Sequence, residues 1–395
     1  MACSCRRHTP THPQRRKDYG TSRLRSVKLW PIIIKMQWPP TARAAVFLGA
    51  GASHFANFPG VDSFFGHAWP QRGGKLDELC SQLARRISIH ERTKLNWPAF
   101  DAEKVFGWLE ILDDAQRIQS INGGARPVLI SSSRGLEMRA DELMSELKRE
   151  IVRVYGTKPN PQTLATAPHN DLFKLLDAVI PDSEPLHVFT TNYDGLLEQL
   201  FQYWRNGNSP IGRQIRTCTG FSSDQPGQWQ PELFEEKPNP GVRLIKLAKL
   251  HGSISWKRDI DGRIVDTRWT MPTEHDILLY FGYKSVPEQE PFLTLHNLLK
   301  SALLQYDFLI AIGFRFADPY IHELFDLALR ANQNLQLIYC LNRAPDPGSP
   351  LSRMTAQFPG RVRLLTSSAA DPVPFGHQDF QESLRRILLL ASQNS

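Results

Sequence analysis

One recurrence constrains this chain more than anything else in it: short apolar runs, each ending in a small or polar motif, each followed by residues at helical spacing. The runs are AAVFLG (44–49), LHVFTTNYD (186–194), LIKLAKLHG (244–252), FLIAIGF (308–314), LQLIYCL (335–341) and RVRLLT (361–366). They are apolar nearly throughout rather than at every second position, so both faces of each strand must be covered. Strands alternating with helices read as parallel βαβ construction. The expected fold is therefore α/β, a Rossmann-like parallel sheet with helices on both faces.

Helical periods crowd between the first and second runs. Leu76, Leu79, Cys80, Leu83 and Ile87 fall on one stripe, and further helices are expected at 102–118, 136–155 and 170–180. The expectation is an inserted helical subdomain at about 75–183. Later helices are read after 194, around 292–304, at 319–331 and at 378–391. Two connections carry no sustained period. Residues 206–241, rich in Gly, Pro, Ser and Gln, read as an unusually long loop. Residues 253–276, with Trp256 and Trp269, read as a hairpin or part of a binding surface.

Composition enters through charge. The net +7 invites a nucleic-acid reading, but nine of the 47 Lys/Arg and one of the 40 Asp/Glu lie in residues 1–36, leaving 38 basic against 39 acidic residues beyond. The basic character thus belongs to a tail, read as disordered over 1–40, and the core at 41–395 is not expected to bind nucleic acid directly. The tail reads as an organelle presequence, a basic arm, a bland extension or an overextended start before Met36. Apolar stretches such as LIAIGF (309–314) are far shorter than the roughly 20 residues of a membrane span, so no membrane segment is expected. Five scattered cysteines fit reduced thiols and a cytoplasmic location, and they supply no pair of CxxC motifs for a zinc ribbon. No metal is expected.

The chemistry-bearing motifs sit where the strands end, which is where ligands collect in open α/β sheets. GAGAS (49–53) suits a phosphate-binding turn, with Gly49 and Gly51 admitting a pyrophosphate close to the backbone; the same glycines also suit a turn that merely closes a strand-helix unit. FPGVDSF (58–64) brings Phe58, Asp62 and Phe64 toward the same crevice, as ligand cover or as core anchors. TTNYD (190–194) offers Asn192 and Asp194 as ligand groups or as a turn capping the next helix. LHGS (250–253) places His251 at another strand end, and GFRFADP (313–319) adds Gly313 and Asp318, the latter in good N-cap chemistry before Pro319.

Taken in order, GAGAS, FPGVDSF, TTNYD, LHGS, GFRFADP and LNR (341–343) resemble the sirtuin-like superfamily, and within it the divergent bacterial branch associated with defence against phage. The resemblance spans about residues 44–370. It implies Gly49, Ala50, Gly51 and Ser53 at the NAD pyrophosphate, Asn192 by the nicotinamide ribose, His251 assisting the reaction, Asp62 and Asp194 near the nicotinamide, and Gly313 and Asn342 as further cofactor contacts. The four-cysteine zinc module and the Gly-Thr-Ser motif of protein deacylases are both lacking, Gly313-Phe314-Arg315 standing in place of the latter. The implied activity is NAD⁺ glycohydrolysis, with NAD as substrate, giving nicotinamide and ADP-ribose. Deacylase or ADP-ribosyltransferase chemistry and a non-catalytic NAD/ADP-ribose-binding scaffold are the alternatives. The resemblance further implies an anti-phage effector controlled by self-assembly as a homo-oligomer or by a partner, a HerA-type ATPase or, alternatively, a short Argonaute.

Overall fold

The computed structural model describes residues 43–392 apart from 61–62, 68–73, 96–99, 122–126, 269–276, 281–286, 317 and 367–370. The first run becomes β1 (Ala44–Leu48), which leads through a 3₁₀ turn (Ala50–Ala56) into α1 (Phe64–His67), α2 (Lys75–His90) and α3 (Ala102–Ile121). A hairpin of β2 (Leu129–Ser131) and β3 (Glu137–Arg139) precedes α4 (Ala140–Tyr155), α5 (Pro161–Ala165) and α6 (His169–Val179). Then come β4 (Leu186–Thr190), α7 (Leu196–Tyr203), β5 (Gln214–Cys218), β6 (Gly227–Gln228), β7 (Val242–Lys249), β8 (Gly252–Arg258), β9 (Ile264–Asp266) and β10 (Ile277–Leu279). The last stretch holds α8 (Phe292–Gln305), β11 (Phe308–Ile312), α9 (Pro319–Ala331), β12 (Gln336–Cys340), α10 (Pro350–Gln357), β13 (Val362–Leu364) and α11 (Phe380–Ser392).

Seven strands form one parallel sheet in the order β13-β12-β11-β1-β4-β7-β5. β1 lies at its centre. The chain builds one side of the sheet from β4, β5 and β7, then crosses back to build the other from β11, β12 and β13. A reversal of this kind opens a crevice at the carboxyl ends of the strands flanking it. Continuous apolarity in β1 is explained by burial on both faces: Ala45 and Phe47 pack in a cluster with Leu295, Leu299, Phe325 and Leu329 of α8 and α9, while Ala44, Val46 and Leu48 are buried on the opposite side.

Two segments differ from their sequence reading, and a third takes one of its two alternatives. Residues 206–241 are not one loop, because β5 is the edge strand of the main sheet. Among the described residues it pairs only with β7, and it buries only Ile215 and Cys218, so no continuous apolar run announces it. Residues 253–276 take the hairpin alternative through β8 and β9, which join β6 and β10 in a second, antiparallel sheet. Trp256 is buried in it, whereas Trp269 lies outside the described residues. The helix read from Leu136 begins at Ala140, since Glu137–Arg139 pair with Leu129–Ser131 instead.

Cys80, Cys218 and Cys340 are buried free thiols. The segment read as a basic tail, with Cys3 and Cys5, lies outside the described residues. No helix among the described residues is long and apolar enough to cross a membrane.

Candidate functional site at the carboxyl ends of the strands

Strand register brings the motifs level. Leu48 pairs with Thr190 and Ile312, Thr190 with Lys249, and Ile312 with Cys340, so five strands end in one row. Just past that row, Gly49 and Gly51 meet Gly313. The Gly49 amide donates to Ile312 O at 2.9 Å and the Gly51 amide to Gly313 O at 3.1 Å. A Cβ on Gly51 would stand 2.7 Å from Gly313 Cα, and one on Gly313 would stand 2.5 Å from Ala52 N, with Gly313 already at φ +65°. Glycine is therefore required here because two backbones touch. The amides of Gly49 and Gly51 are taken up by that contact, and Ala50 and Gly51 present the loop's surface to the crevice.

Two residues past β4, Asn192 ties this loop down. Its Nδ2 donates to Gly49 O at 3.0 Å and to Ser53 Oγ at 2.9 Å, while its backbone amide donates to Thr190 Oγ1 at 3.0 Å. Ser53 in turn hydrogen-bonds the Asp194 carboxylate, which also accepts the Leu196 amide at 3.0 Å at the start of α7. Burial pushes the Asp194 carboxyl up from its ordinary range. Beneath them the buried Lys249 donates from Nζ to Asp194 O at 2.5 Å, Glu198 Oε1 at 2.8 Å and Ser253 Oγ at 3.1 Å. Both donors of Asn192 are thus engaged within the protein, and Asp194 acts as the capping turn.

His251, two residues past β7, is 1% exposed. Its Nε2 lies 2.9 Å from Asp318 Oδ2, and its Nδ1 lies 3.4 Å from Glu103 Oε1, an ion-pair separation without hydrogen-bond geometry. Asp318 uses its other oxygen to cap α9, accepting the Ile321 amide at 2.9 Å, so the residue that starts the helix also holds the imidazole. The Tyr193 hydroxyl donates a very short hydrogen bond to Glu103 Oε1. Burial alone would deprotonate His251, but Asp318 and Glu103 outweigh it and raise its pKa to about 10. The ring is an imidazolium at neutral pH. A free base near pH 6.5, as the residue type alone suggests, is not its resting state.

These groups border a cavity of about 540 Å³ over the ends of β1, β11 and β12, a size suited to a small-molecule ligand. Ala50, Gly51, His251, Gly313 and Asn342 line it. Gly49, Ser53, Asn192 and Asp194 do not; they lie behind its wall as the knot just described. Asp62 lies outside the described residues. Phe58 and Phe64 are core anchors stacked on Tyr155. The cavity also gathers Lys104, Arg315 and Arg343, positive charge suited to phosphates, beside Asp101, Glu103 and Asp318. Burial, with the nearby Glu103 charge, raises the Asp101 pKa to about 6. Asp101 and Glu103 escaped the sequence reading. At the start of α3, Asp101 Oδ1 accepts the Glu103 amide, and such a pattern announces a helix start, not a site. Among the described residues no cluster of His, Cys, Asp and Glu is arranged to hold a metal ion.

Residues 186–357 match the family described as the SIR2-like domain. Solved structures similar to the chain include a mutant Sir2 homologue in complex with 2'-O-acetyl ADP ribose, at 11% identity and TM-score 0.40, covering 89% of this chain and 95% of the other. A Sir2 homologue in complex with NAD is 11% identical with TM-score 0.39, covering 89% and 92%. A Sir2 with a p53 peptide and NAD⁺ is 12% identical with TM-score 0.39, covering 88% and 93%. No curated protein sequence matches the chain.

Proposed function

We propose that the chain is an NAD⁺ glycohydrolase that releases nicotinamide and ADP-ribose from the cavity above β1, β11 and β12. The observation that carries the reading is His251, buried at the edge of a dinucleotide-sized cavity within a SIR2-like match and held by two carboxylates. Cleaving the bond between nicotinamide and ribose develops positive charge at the anomeric carbon. Asp101, Glu103 and Asp318 favour that charge, while Lys104, Arg315 and Arg343 face the phosphates. His251 Nε2 is engaged by Asp318 and Nδ1 faces Glu103, so the imidazolium must give up its Nδ1 proton before that nitrogen can serve a ribose hydroxyl or an attacking water as a base. Asn192 acts from behind the wall by holding the glycine loop in place.

Unrestrained NAD⁺ hydrolysis would harm the host cell. The reading therefore includes control by self-assembly or by a partner chain such as a HerA-type ATPase, in an effector of anti-phage defence. The test is nicotinamide release by the purified chain, alone and with the product of the neighbouring gene. Release by wild type and none by His251→Gln, at a temperature where the variant is shown to be folded, supports the reading. Deacylation of an acyl-lysine peptide without release from NAD⁺ alone would replace it with the deacylase alternative.

A further inference from the structure

We propose that Glu103, carried on the first turn of α3, is a positioning residue for His251: with Asp318 it clamps the imidazole between two carboxylates, and Tyr193 fixes Glu103 for that task. The idea rests on the proposed reaction for its kinetic consequence but not for its structural one.

The geometry is asymmetric. Asp318 meets Nε2 at 2.9 Å in a hydrogen bond, has a side chain only 2% exposed, and is anchored by the α9 cap. Glu103 faces Nδ1 at 3.4 Å, has a side chain 20% exposed, and comes from a helix that packs on α2 and α4 rather than from the sheet. One carboxylate is therefore built into the parallel frame, and the other is delivered by the helices between β1 and β4. Tyr193 is the link that aims it: its ring stacks on His251 with centroids 6.4 Å apart, and its hydroxyl binds the Glu103 oxygen that faces Nδ1. Among the described residues Tyr280 meets the ring edge-on at 5.9 Å, and His296 of α8, whose pKa is lowered to about 4, stays neutral. Asp101, whose pKa is raised to about 6, lines the same cavity, but Glu103 and Asp318 are the carboxylates that reach the ring nitrogens.

If His251 acts as a base, Glu103 controls the pH at which it becomes one. Removing that charge makes the proton easier to lose, and the rising limb of the rate against pH moves toward acid. The experiment uses the full chain with its histidines ¹³C-labelled at Cε1, the His251 signal being assigned by its loss in His251→Gln. In Glu103→Gln the His251 titration and the half-maximal pH of nicotinamide release should both move down by about one unit or more. Glu103→Asp, which keeps the charge one methylene further from the ring, should give a smaller shift in the same direction and serves if the Gln variant is too unstable to titrate. A His251 titration unchanged in both variants overturns the proposal. If wild type releases no nicotinamide, the proposed function fails, yet the titration still decides the role of Glu103.

Discussion

Two parts of the site are held in opposite ways. The glycine loop is fixed by backbone contact and neutral hydrogen bonds, Gly49 and Gly51 against Gly313 with Asn192 and Ser53 as the tie. His251 is fixed by charge, between Asp318 and Glu103. The first arrangement shapes a wall through groups that do not titrate. The second holds an ionisable ring between two carboxylates, one of them carried by a helix outside the sheet. A sequence motif marks both as site residues without saying which kind of holding each uses.

The contrast predicts different failures. The largest is expected for His251→Ala, which strands two carboxylates, one of them almost fully buried: about 3–5 kcal/mol of stability should be lost along with activity. Urea unfolding checks it, and a variant as stable as wild type would show that the pair contributes nothing. Gly313→Val should cost about 3 kcal/mol, because its Cβ would meet the backbone of Gly51 and Ala52 at a positive φ. If Gly313→Val instead unfolds like wild type but binds ligand poorly, the glycine serves ligand approach and not loop contact. Asn192→Ala removes two hydrogen bonds and should lose about 1–2 kcal/mol, with nicotinamide release falling because the loop loosens.

The dependence on pH separates the two regions most cleanly. His251 has a folded pKa of about 10 against an ordinary 6.5. The stability it contributes is complete below pH 6.5 and is lost as pH rises toward 10. Unfolding free energy should therefore fall between pH 7 and 9, by at most about 1.4 kcal/mol per unit. His251→Gln should flatten that slope, whereas Asn192→Ala should leave it unchanged. Equal slopes in all three proteins would erase the distinction between a neutral tie and a charged clamp.

Legibility in the sequence followed the same division. The central strands announced themselves because burial on both faces demands continuous apolar runs, as in FLIAI of β11. β5 did not, since QIRTC at a sheet edge buries only two side chains. Gly51, Gly313 and His251 were found from strand-end motifs and Asn342 through the family resemblance, and all four border the cavity. Asn192 was found by the same logic, yet its amide is turned to the protein, a distinction that depends on where Gly49 O and Ser53 lie in space. Asp101 and Glu103 were invisible because an acidic helix start is ordinary chemistry, and only folding brings it to a histidine far along the chain.

The central claim is that the cavity above β1, β11 and β12 receives the dinucleotide. A crystal structure of the chain with ADP-ribose, the product of the proposed cleavage, tests it most directly. The account predicts the pyrophosphate against Ala50, Gly51 and Gly313, the adenosine side toward Asn342, and the free ribose beside His251 and Glu103. ADP-ribose bound elsewhere, or left unbound at saturating concentration by a correctly folded chain, would contradict it.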